Sequence, residues 1–182
     1  AAVPSATRLE ITVQLALMVA LNEQISCYDS AVKQLAKQPD AQRLLTIPGI
    51  GPFGAALLVA EIGTITRFHS AAELAAYAGL VPSTRSSGDK TSHGTVGVAN
   101  NHWLKWILIE AVQTLKQRPG PVQAHDERLL RAKGKPKATV AAARKLCLYI
   151  YWMWHDGLDY PTWLQAEAKR VGCSMQTLAS SA

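Results

Sequence analysis

From Thr7 to Lys37 the chain contains no proline or glycine, and apolar residues recur at Leu9, Val13, Leu17, Leu21, Ile25, Tyr28, Val32 and Leu35. Steps of three and four residues put these side chains on one stripe, so the stretch predicts a single long amphipathic helix. A stripe this long needs cover, either from its own domain or from a second helix of another subunit, which makes a homo-oligomer through this helix an expectation. Gln38-Pro39-Asp40 ends the helix, because Pro39 cannot continue the hydrogen-bond ladder.

The segment Leu44 to Gly63, LLTIPGIGPFGAALLVAEIG, reads as a helix-hairpin-helix: an apolar helix end, a Pro-Gly-Ile-Gly turn and a second helix over Phe53 to Ile62 that stops at Gly63. Gly49 and Gly51 can take positive φ, leaving the main-chain donors around Gly49, Ile50 and Gly51 facing outward at a helix N-terminus, where they suit a phosphate. A plain connection between two helices has the same local sequence, and both readings stay open at this point.

Further on, Ser70-Ala-Ala-Glu73 matches a capping box opening a short helix to Tyr77, closed by Gly79. Leu80 to Gly97, LVPSTRSSGDKTSHGTVG, is dense in Ser, Thr and Gly and is expected to be a loop. Asn100 or Asn101 can cap a helix from His102 to about Gln117, with Trp103, Trp106, Ile107, Ile109 and Leu115 expected in the core. Arg118-Pro119-Gly120-Pro121 breaks that helix, Thr139 to Trp154 reads as a buried helix, and Pro161 opens a short last one ending at Gly172. No strand pattern competes. The expected fold is all-α: a long N-terminal coiled-coil-like helix over 1–40, a compact helical domain over 41–160 and a C-terminal helix and tail over 161–182.

Charge narrows the partners. Of the net +6, five units lie between Pro119 and Lys145, where Arg128, Arg131, Lys133, Lys135, Lys137, Arg144 and Lys145 face only Asp126 and Glu127. Such a stretch fits a nucleic-acid backbone; a solvated loop is the alternative, and with a hairpin of the DNA-binding type in the same domain nucleic acid is the expectation. The longest apolar runs, Leu15–Leu21 and Leu146–Trp154, are too short to span a bilayer, so no membrane partner is expected. Three distant cysteines, Cys27, Cys147 and Cys173, suggest no disulfide framework, and a reducing cytoplasm is the default expectation. The five histidines are dispersed and carboxylates are scarce, so no metal site is expected in this chain. A start at Ala1 without methionine reads as a piece of a longer or processed protein. In the Ser/Thr-rich loop a serine hydroxyl could attack phosphorus while Arg85 and Lys90 stabilise the developing charge; an ordinary surface loop is the alternative.

Taken in order, LLTIPGIGPFGAALLVAEIG, Phe68, LAAYAGLVP, Ser87-Gly88 and an Asn-rich turn into a helix resemble the C-terminal transposase domain of the IS one-ten, one-sixteen and nine-hundred-two insertion-sequence transposases, relatives of the pilin-gene invertases. The match runs from about Leu44 to Ala111, and the long helix before it resembles the family's coiled-coil linker. The resemblance implies DNA as substrate, a bridge-type guide RNA as partner, and a RuvC-like domain with an acidic DEDD set that would hold magnesium. It also implies a serine nucleophile, which falls on Ser87, the serine after Gly79 to Pro82, with Ser86 as the neighbouring alternative and Gly88 allowing close approach to the phosphate. Val98-Ala99-Asn100-Asn101 and Lys105 stand where the family has a basic residue, a Gly-Asn pair and an arginine. Without the RuvC-like half the chain alone is expected to bind nucleic acid weakly and to catalyse nothing. A non-catalytic DNA-binding module and a dimerisation module are the alternatives.

Overall fold

The computed structural model describes residues 4–81, 84–87, 90–93 and 101–170, and of 84–87 and 90–93 the backbone alone. Among the described residues eight α-helices carry the fold: α1 (Ser5–Leu35), α2 (Pro39–Leu45), α3 (Pro52–Ile62), α4 (Ala71–Tyr77), α5 (His102–Leu115), α6 (Pro121–Lys133), α7 (Lys135–His155) and α8 (Tyr160–Arg170). A 3-10 turn, Ile65–Arg67, links α3 to α4.

The long α7 is the axis of the core. It touches α2, α4, α5, α6 and α8, and its buried face of Ala142, Ala143, Leu146, Ile150 and Met153 meets Leu44, Leu58, Leu74, Leu104 and Leu108 in one apolar cluster. Small alanines on α7 let neighbouring helices approach closely, and the leucines fill the space between them. The Tyr151 hydroxyl, inside this core, donates to the Phe68 carbonyl at 3.2 Å and so satisfies a buried polar group.

Local signals set most boundaries. Ser70 accepts from the Glu73 N–H at 3.2 Å, while Glu73 Oε2 accepts from the His69 N–H at 2.7 Å, a capping box displaced by one residue. Gly63, Gly79 and Gly134 end helices in positive-φ conformations.

Three features differ from expectation. Within the Leu80 to Gly97 segment, β1 (Thr84–Ser87) and β2 (Lys90–His93) form an antiparallel pair with Ser87 opposite Lys90. The basic stretch, for which the sequence predicts no element before Thr139, folds as α6 and the start of α7, joined at Gly134. On α5 the buried face is Leu104, Ile107, Leu108, Ala111, Val112 and Leu115, which leaves Trp103 57 % and Trp106 40 % exposed instead of in the core. The two tryptophans pack edge-to-face on each other and, through Trp106, on exposed Phe53.

Helix α1 stands apart from this core. None of its residues is buried, and Leu9, Val13, Leu17, Leu21 and Ile25 are all more than half exposed. Among the described residues, no helix is long and apolar enough to cross a membrane.

Candidate nucleic-acid interface

The turn between α2 and α3 is anchored from within. Ile47 and Ile50 are buried, the Ile50 N–H donates to the Ile47 carbonyl at 3.1 Å, and Thr46 Oγ1 accepts from the Tyr160 N–H at 2.9 Å, tying the turn to α8. Its two glycines have different surroundings. Gly49 has φ +93, and a Cβ there would lie 2.8 Å from the Ala111 carbonyl oxygen and from Thr114 Cβ, so glycine is required for α5 to pack beneath the turn. Gly51 is extended, exposed and has nothing within 4 Å of a would-be Cβ. None of the described residues accepts a hydrogen bond from the N–H groups of Gly51, Phe53 or Gly54. The start of α3 therefore carries unmatched donors at the positive end of its dipole.

Ser86 and Ser87 lie on β1 and Lys90 on β2, with Arg85 opposite Ser92; Gly88 lies outside the described residues. The root of this segment is closed by side chains that sequence reasoning missed. The Asn101 N–H donates to the Tyr77 carbonyl at 3.0 Å, joining the residue before α5 to the end of α4. Asn101 Nδ2 donates to Glu61 Oε2 at 2.6 Å and lies 3.3 Å from the Tyr77 hydroxyl, while its Oδ1 caps α5 by accepting from the Leu104 N–H at 3.0 Å. Arg67 completes the group: its guanidinium sits 4.8 Å from the ring centres of both Phe68 and Tyr77 and donates to the Ile62 carbonyl at 3.1 Å. Asn101 was readable as a cap, but its partners came from forty and twenty-four residues away, and no local pattern announces them.

On the basic helices, Arg128, Arg131, Lys133, Lys135 and Lys137 are exposed, and the last four surround the Gly134 turn. Lys105, on α5, is half-buried. Asp126 points inward instead: it is buried, and its Oδ1 has no hydrogen-bond partner. One of the two acids of the stretch is thus withdrawn, which makes the outer face more positive than the sequence count. Arg128 Nη2 lies 3.2 Å from His125 Nδ1. Burial, then Lys145 and Arg128, holds His125 below its ordinary 6.5, and burial with Arg128 lowers Lys145. Mutual repulsion of this kind marks a surface that gains from a bound anion.

Among the described residues, no three His, Cys, Asp or Glu side chains are placed to hold a metal ion together.

Residues 41–126, which run from α2 into α6 and include the turn, the hairpin and the Asn101 root, match the pattern of the transposase IS116/IS110/IS902 family. The chain is 33% identical over 129 residues to the transposase for insertion sequence element IS1111A of Coxiella burnetii, an alignment covering 68% of this chain and 35% of that one. It is 32% identical over 105 residues to the IS116 44.8 kDa protein of Streptomyces clavuligerus, covering 57% and 26%, and 29% identical over 168 residues to the IS110 43.6 kDa protein of Streptomyces coelicolor, covering 90% and 42%. The chain therefore spans less than half the length of these relatives. The shared pattern falls on the helical domain packed around α7, and over residues 41–126 the chain carries the pattern of the IS116/IS110/IS902 transposase family.

Proposed function

We propose that this chain is the strand-exchange portion of a DNA transposase that moves an insertion sequence, with Ser87 as nucleophile. In the proposed step Ser87 Oγ forms a bond to a backbone phosphorus, one P–O ester bond breaks, and the departing oxygen takes up a proton in place of the one the serine gives up. The number of phosphodiester linkages is conserved, so reversal of the step rejoins DNA without an energy source. Arg85 and Lys90 neutralise the charge that builds on the phosphorane, and Gly88 admits the phosphate. Two exposed donors at the start of α3 and the cations Lys105, Arg128, Arg131, Lys133, Lys135 and Lys137 hold the nucleic-acid backbone, with a bridge-type RNA guiding the choice of target. In this reading a RuvC-like partner domain supplies the metal chemistry, and the protein works on DNA in the nucleoid.

The observation that carries the reading is the closed root of the Ser87 segment: Asn101, Tyr77 and Glu61 tie both ends of an otherwise polar stretch to the helical core. A reactive group needs such anchoring, because misplacement by about 1 Å is enough to lose much of a rate enhancement. The test is recombination by the transposase that carries this chain. Ser87→Ala abolishes it while DNA binding persists, and Ser86→Ala leaves it in place; recombination that survives Ser87→Ala refutes the assignment.

A second reading, self-assembly, is favoured by the bare apolar stripe of α1. A second copy of the helix would cover it as a coiled coil.

A further inference from the structure

We propose that His125, Arg128 and Lys145 form a cradle on the α6–α7 hairpin that holds one phosphate group of a nucleic-acid backbone. That the phosphate belongs to nucleic acid rests on the function proposed above; the cradle itself rests on its geometry.

A guanidinium has only donors, so in the 3.2 Å contact Arg128 donates and His125 Nδ1 accepts. The proton of the neutral imidazole is then on Nε2, which becomes an unused donor. Lys145 is on α7, the helix packed against α6, and is near enough for its charge to disfavour a protonated His125; its ammonium stands 5.8 Å from the centre of the Tyr149 ring. The groups facing His125 are thus Arg128 on its own helix and Lys145 on the helix packed against it. No carboxylate among the described residues pairs with any of the three: Asp126 is turned into the core, and Glu127 accepts from Gln123 at 2.9 Å. The Arg128–His125 pair, with Lys145 on the neighbouring helix and no acid paired to any of them, has a net charge of +2 for a phosphodiester of charge −1. The half-buried setting of His125 and Lys145 strengthens each contact relative to open water. His125 carries no signal as a ligand in sequence, since its partners come from one turn on and from the next helix.

The experiment is an NMR titration of the His125 ring in this chain, assigned by the signal lost in His125→Gln. It is run with no anion, with inorganic phosphate and with a short DNA duplex. An anion beside the ring favours its protonated form, so the titration midpoint, which starts below 6.5, rises with duplex and with inorganic phosphate. Arg128→Gln and Lys145→Gln each weaken duplex binding about tenfold and suppress the rise. Arg128 is exposed, so its variant keeps the test intact should Lys145→Gln disturb packing. Duplex that binds without moving His125, and binds both variants as tightly as the parent, overturns the cradle and leaves the nucleic-acid reading standing. A midpoint moved by inorganic phosphate alone, with no duplex bound, overturns the assignment to nucleic acid and marks a site for a free anion.

Discussion

The side-chain amide of Asn101 donates to the carboxylate of Glu61 at 2.6 Å, linking the N-cap of α5 to the last turn of α3 across forty residues. The same side chain caps α5 through its oxygen, so one residue serves two elements. Asn101→Ala removes a cap and leaves Glu61 without this donor, and is expected to cost about 1–3 kcal/mol in stability. Asn101→Asp keeps the cap but sets two carboxylates against each other, and is expected to be destabilising as well. Denaturant midpoints measure both; a harmless Asn101→Asp contradicts the contact.

The two glycines of the α2–α3 turn are expected to separate in the same assay. Gly49→Ala combines a positive φ with a methyl 2.8 Å from the Ala111 carbonyl and should cost about 2–4 kcal/mol. Gly51→Ala meets open space and should stay within about 0.5 kcal/mol of the parent. Its effect belongs in binding, where a methyl at the first exposed donor obstructs a phosphate. Equal losses of stability at the two positions contradict this division.

Alkaline stability should report the core. Burial raises the Cys147 thiol from 9.0 to about 12 and the Tyr160 phenol from 10.0 to about 12. Both keep their protons longer in the folded state than in the unfolded one. Their contribution is complete below the unfolded values and is lost as pH rises through roughly 9 to 12, so thermal stability falls in that window. Cys147→Ala removes the part that begins near 9, readable as a flatter dependence of Tm on pH.

If a second copy covers the α1 stripe, Leu17→Glu with Leu21→Glu breaks the assembly while the domain stays folded, because neither side chain is buried in it. Light scattering is expected to show the mass falling to that of one chain, with unchanged near-ultraviolet circular dichroism. A monomeric parent contradicts the self-assembly reading.

Helix positions were legible wherever one residue type leaves a single option. Pro39 ends α1, Ser70 caps α4, Gly63 stops α3, and these signals act within one turn of chain. The hairpin was not legible, because TRSS and KTSH have no apolar alternation to mark strands. Nor was α6, whose buried side chains are only Val122 and the carboxylate of Asp126. On α5 the apolar arc from Trp103 to Ile109 is too broad to fix the rotation of the helix, so the small neighbours on α7 and α3, which the leucines fit, decided that the tryptophans face out. At the candidate site the turn, Ser87 and the basic residues were visible as residue types in order. The Glu61–Asn101–Tyr77 root and the His125–Arg128–Lys145 group depend on tertiary packing and had no local trace.

In the proposed step the hydroxyl oxygen of Ser87 bonds to a DNA phosphorus. The test is a search for a covalent adduct between the protein and a labelled DNA strand, located by proteolysis and mass spectrometry. The predicted result is a phosphate ester on the peptide containing Ser87, absent from Ser87→Ala. An adduct that persists in Ser87→Ala, or recombination with no covalent protein–DNA species, contradicts the account.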